Sequence, residues 1–139
     1  MTTVVPVAAN VLAATGASLG TGTAGATIVQ GDVLYADGTD GGDLKLGDSS
    51  GVLTAAVVGI ALNAALDKQP VDFIKSGTLT IGTDGGAPPA AGEPYFLSTT
   101  AGKIDDALPA SGQFAKVLGI GLTSSTMKVG IVVSGVALA

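Results

Sequence analysis

Histidine, cysteine, arginine and tryptophan are all missing from this 139-residue chain. Without cysteine there is no disulfide, no thiolate nucleophile and no zinc–thiolate centre, although this leaves the compartment open. Without histidine the usual general base near neutral pH is gone. Without arginine no side chain can clamp a phosphate or carboxylate through two parallel hydrogen bonds. Charge is sparse and of one dominant sign: six Lys against eleven acidic residues leave a net charge of −5. Such a chain is a poor nucleic-acid ligand, because neutralising phosphates supplies most of that affinity. Three Phe and two Tyr are the only aromatics, so the core must be thin and built from small aliphatic side chains. No residue stands out as catalytic, cofactor-binding or metal-ligating, and the expectation is a protein that is not an enzyme and carries no cofactor.

What the chain does have is small apolar residues and glycine. Apolar residues make up 47%, and 22 residues are Gly, roughly twice the usual share of about 7%. One compact domain rich in turns is the natural expectation. Residues 1–31 carry no charged side chain. Their length alone would suit a membrane span, but Pro6, Asn10, the glycines and the repeated threonines argue against one. No Lys or Arg precedes the apolar stretch, so a signal peptide is not expected and the mature protein is expected to begin at or near Met1. Residues 1–25, with VVPVAANVLAA and the low-complexity TGASLGTGTAG, cannot bury enough surface to order alone. They are expected to form a flexible N-terminal arm.

From Ala26 the pattern turns to β. ATIVQGDVLYAD is rich in β-branched and aromatic residues and stops at DGTDGGD. DLKL, TAAVVGIALN, QPVDFIKS and GTLTIG follow as further strands, with Gly59 placed for a bulge or a close backbone approach. A short helix or turn at Asn63 to Lys68 stays open. TDGGAPPAAGEP is a connector, since Pro88-Pro89 forbids regular structure. EPYFLS, GKID, FAKVLGIGL and MKVGIVVSG complete the chain. In QPVDFIKS, Val71 and Phe73 face one side and Asp72 the other. The fold class is therefore all-β, a compact sandwich or barrel of about nine or ten short strands.

The strands repeat. VVGIALN (57–63) returns as VLGIGLT (117–123), GDVLY (31–35) as GEPYF (92–96), Lys45-Leu46 as Lys103-Ile104, and QPVDFIKSG (69–77) as MKVGIVVSG (127–135). Residues 26–139 thus form a single β domain of two similar halves, about 31–81 and 92–139. What the halves share is glycine and small apolar residues, which encodes a fold and no paired active site.

Several segments imitate functional motifs. GTGTAG (20–25) fits G-x-G-x-x-G, but neither a strand before it nor a helix after it is expected. GASLG (16–20) fits the nucleophile elbow, and GDSSG (47–51) resembles a protease serine loop, yet no histidine exists to activate either serine. Asp37, Asp40 and Asp43 could offer oxygens to calcium, but their spacing matches no known loop, and a solvated turn is the better expectation. TMKV (126–129) is a distant likeness of a biotin-carrying hairpin, with Lys128 expected on a strand facing solvent. Asp105 and Asp106 are adjacent, so in extended chain they face opposite ways and cannot share a site; turn residues are expected there.

The succession GDVLY, a Lys-containing strand, AAVVGIAL, a polar turn, QPVDFIKSG and GTLTIG resembles small phage head proteins, the lambda-type capsid decoration or cement proteins and related families. The resemblance runs from about Thr27 to the C-terminus. It implies an all-β body, usually a homotrimer, on the outer capsid surface of a virion assembled from proteins made in the host cytoplasm. There it would clamp neighbouring subunits of the major capsid protein, without nucleic acid or membrane as a partner. It also implies that the N-terminal arm orders against the shell, which makes Val4, Val5, Pro6, Val7, Val11 and Leu12 the capsid-contacting residues. The alternative is a binding module of a phage fibre or surface protein that recognises a glycan or receptor. That would need exposed aromatics, and Tyr35, Tyr95, Phe73, Phe96 and Phe114 all fall in expected core strands.

Overall fold

The structure, a computed structural model, describes residues 3–4, 11–81 and 91–137, with residues 3–4 and 132–137 described by their backbone alone. The chain is all-β. Its strands are β1 (Thr3–Val4), β2 (Leu12–Ala13), β3 (Ser18–Thr23), β4 (Val33–Asp37), β5 (Asp43–Leu46), β6 (Val57–Ala61), β7 (Pro70–Thr80), β8 (Pro94–Leu97), β9 (Ile104–Asp105), β10 (Phe114–Gly121) and β11 (Thr126–Ala137). A 3-10 turn at Gly38–Asp40 caps the β4–β5 hairpin. Residues 63–68, where a short helix was open, form turns and a bridge from Ala65 to Ile28. No helix among the described residues is long and apolar enough to cross a membrane.

All strand pairs are antiparallel, and the sheet curls into a half-barrel. Its order is β1-β9-β8-β10-β11-β7-β6-β4-β5, and with β1 set aside it reads alike from both ends inward. In the first unit β4 pairs with β5 and β6, and β6 with β7. In the second, β8 pairs with β9 and β10, and β10 with β11. One pairing scheme is used twice.

β7 is the beam on which both units hang. Ser76 pairs with Ser18 of β3 and with Gly130 of β11, so those strands lie on opposite edges of β7. Ile74 pairs with Leu19 of β3 and Ile60 of β6. Leu79 pairs with Ala13 of β2 and Met127 of β11. A strand has two edges, so β6 and β11 share one and β2 and β3 share the other. The expected arm covers residues 1–25, and over residues 11–24 of it the structure corrects the expectation of a free segment. Residues 12–13 and 18–23 are paired sheet joined by a turn, and Ala24 is fully buried. Gly20 and Gly22, two of the three glycines of the nucleotide-motif look-alike, allow this. A Cβ on Gly20 would lie 2.6 Å from the Phe73 ring, and one on Gly22 would lie 2.9 Å from Leu44. The low-complexity stretch is the covering layer for large neighbours, and its lack of side chains is what lets it pack.

Two apolar clusters result. The main one joins both units: Val33, Ile60 and Ile74 of the first meet Tyr95, Leu97, Leu118, Met127 and Val129 of the second, with Val11 among them. The other holds Leu34, Ala61, Val71 and Phe73 under Ala24 and Ile28. Neighbours in sequence (Val33/Leu34, Ile60/Ala61, Phe73/Ile74) point into different clusters, so the first unit is buried on both faces. The halves are also stitched by backbone bonds. Val33 N donates to Gly102 O (3.0 Å), Gly102 N to Gly47 O (2.7 Å), Ser49 N to Ser98 O (3.0 Å) and Phe114 N to Ser49 O (2.8 Å).

Candidate interaction surfaces

Of the expected capsid-contacting residues, the structure describes Val4, Val11 and Leu12, and these three lie apart. Thr3–Val4 pair through the backbone with Asp105 and Ile104, adding a two-residue strand to the edge of β9. Val5, Pro6 and Val7 lie outside the described residues. Val11 is buried in the main cluster, a correction to its expected exposure, and Leu12 is exposed beside Thr80 of β7. Val11 is held inside because β2, which follows it directly, is joined to β7, whose Leu79 lies in the same main cluster.

The acidic turn is not arranged for a cation. Lys45 Nζ lies 2.8 Å from Asp37 and 3.1 Å from Asp40, and Lys68 Nζ lies 2.6 Å from Asp43. Lysine hydrogen bonding, aided by Thr39, holds the Asp37 carboxyl down at about 2. The same bonds to Asp37 and Asp40 raise the Lys45 amine above its ordinary range. In GDSSG, Asp48 accepts from Ser50 N, Ser50 Oγ and Thr54 Oγ1, which closes a turn. Asp32 is buried at the seam between halves. Burial raises its pKa, opposed by the bond from Val29 N and by Lys103 at 3.7 Å. Asp105 is a buried strand residue of β9, where a turn was expected. Lys128 is exposed on β11, as its strand position implied.

The surface feature that the pattern of strands hid is a difference between the repeats. Ile60 and Ile120 match in sequence, as do Leu62 and Leu122. Ile60 is fully buried and Leu62 packs on the main cluster, while Ile120 is 49% exposed and Leu122 42%. Conversely Leu34 and Val71 face the smaller cluster, and their matches Tyr95 and Val129 face the main one. The second unit therefore turns inward the face that the first turns outward. Its other face is open among the described residues. One row across it runs Pro94–Ile120–Lys128–Thr78. A groove of about 350 Å³ lies there, lined by Val117, Ile120 and Lys128 among others. Fully burying an Ile or Leu contributes roughly 1.5–3 kcal/mol, and here that contribution is only partly realised.

A second apolar patch lies outside the smaller cluster. Val29 (48% exposed) and Leu66 (58%) flank a groove of about 240 Å³ floored by Ile28 and Ala65. Asp67 is exposed next to Leu66.

The inverted face also explains Lys116. Its strand neighbour Leu118 faces the main cluster, and Lys116 points the same way, with 1% of its surface exposed and no hydrogen-bond partner for Nζ among the described residues. Burial lowers its pKa. Its match in the first unit is Ala56, which is exposed. The only sequence signal was a lysine flanked by apolar residues in FAKVLGIGL. No protein-family model matches the chain, and no curated protein matches it.

Proposed function

We propose that this chain is a structural virion protein that decorates and stabilises a phage capsid shell by bridging neighbouring capsid subunits. The observation that carries the reading is the N-terminal strand. Among the described residues Thr3–Val4 adds to the edge of β9 through two residue pairs, which is the same mode of strand addition proposed for the arm on the shell. Added to a sheet edge of a capsid subunit, it would gain affinity from main-chain hydrogen bonds. Ordering such a segment costs about 1–2 kcal/mol per residue, so one copy binds modestly and a homo-oligomer such as a trimer gains by multivalency. The resemblance in GDVLY, AAVVGIAL, QPVDFIKSG and GTLTIG supports the same reading.

The glycan-binding alternative has less support. Tyr35, Phe73 and Tyr95 are buried, and Phe96 and Phe114 are partly buried, which leaves no exposed ring as a stacking platform. The test is co-sedimentation with expanded and unexpanded shells after removal of residues 1–10. This cut spares Val11 and every later strand. Loss of shell binding with an unchanged circular dichroism spectrum is expected. Binding retained at full strength would sink the arm mechanism.

A further inference from the structure

We infer that copies of this chain associate head to tail, the open face of the second unit in one copy packing on the Val29–Leu66 patch of the next. Three observations lead there. The layers run in a fixed order: the Val29–Leu66 patch, the smaller cluster, the first unit, the main cluster, the second unit, and the open Ile120 face. The two exposed apolar patches therefore belong to different surfaces, which suits a heterologous contact between identical chains. Their charges are complementary: Lys128 stands in the Ile120 row, while Asp67 borders Leu66 and its neighbour Lys68 is already paired with Asp43. Finally, the chain contains its own template. The first unit buries Ile60 and packs Leu62 against another β layer, and the second unit keeps the same two residues, as Ile120 and Leu122, on a face that no layer covers among the described residues.

A second copy is favoured over an unrelated partner because both halves of a matched contact are present on one chain. An isologous pairing of two Ile120 faces would set Lys128 against Lys128. A head-to-tail contact closes into a ring when its rotation permits. It gives the proposed homo-oligomer its contact surface and stands without the shell-binding reading.

The test is sedimentation velocity on purified protein without any shell, so its outcome is separate from capsid binding. Wild type sediments as a multiple of the single chain. Ile120→Asp and Leu66→Asp, both at exposed positions, each give a folded monomer by circular dichroism. Mixed in equal amounts they give a two-chain species, because one intact patch of each kind remains. A second set changes exposed charges only. Lys128→Glu and Asp67→Lys each weaken assembly at low salt, and the chain carrying both regains it. Monomeric wild type, variants that stay assembled, or a mixture that stays monomeric would each overturn the inference.

Discussion

Lys116 shows how a single side chain reports on the packing around it. A buried ammonium without a partner is costly, and the main cluster offers it apolar neighbours such as Leu97 and Leu118. Burial depresses the amine below its ordinary value of 10.5. The unfolded chain then binds more protons than the folded one between that depressed value and 10.5. Stability should therefore rise with pH across this window, and the benefit is complete above it. Lys116→Met should stabilise the fold at neutral pH by on the order of 1–3 kcal/mol and flatten the pH slope. Urea unfolding of both proteins at neutral and alkaline pH checks this. A methionine variant that is less stable at neutral pH would show that the amine has a partner.

At the level of elements, the glycines of the repeat mark bulges in β6 and β10. The register of β6 against β4 shifts between Val57 and Gly59, and that of β10 against β8 and β11 between Val117 and Gly119. Both glycines lie hard against a neighbouring strand. A Cβ on Gly59 would sit 2.5 Å from Ile74 O, and one on Gly119 would collide with Lys128 O. These contacts are with backbone, which has little room to give. Gly59→Ala and Gly119→Ala should each cost on the order of 1–3 kcal/mol. Gly130→Ala, where nothing lies within 4 Å, should cost much less. Thermal unfolding of the three variants decides it, and equal losses would refute the bulge account. The bulge at Gly59 was legible because its match in the second copy, Gly119, kept the glycine while other positions changed. The inversion of the second unit was not legible, because small apolar residues occupy both faces of these strands and no alternation singles out the buried one.

For the whole molecule, the N-terminal segment is the decisive element. Val11 and Ala24 lie in the two different clusters, and β2 and β3 cover one edge of β7. Removing residues 1–24 should therefore unfold the protein, whereas removing 1–10 leaves these contacts in place. Far-UV circular dichroism and dye binding to exposed apolar surface compare the two truncations. A cooperative unfolding transition in the shorter chain would show that the body stands alone, as a separate arm would require. Composition alone made residues 1–25 look unable to order, and residues 11–24 are ordered. That inference treats the segment in isolation, and its order comes from Phe73 and Leu44 packing against the glycines of β3.

The sequence by itself determined the all-β class, the two-fold repetition of one strand scheme, and the glycine positions that scheme needs. Those follow from local chemistry: β-branched runs, turn residues and backbone sterics act over a few positions and leave a readable trace. Only the tertiary structure decided which face of each unit points inward, that the N-terminal stretch belongs to the sheet, and that Lys116 is buried while Ile120 is exposed. Each of these depends on which layer lies across from a strand. That layer is set by residues far away in the chain, and the same small apolar pattern fits either orientation.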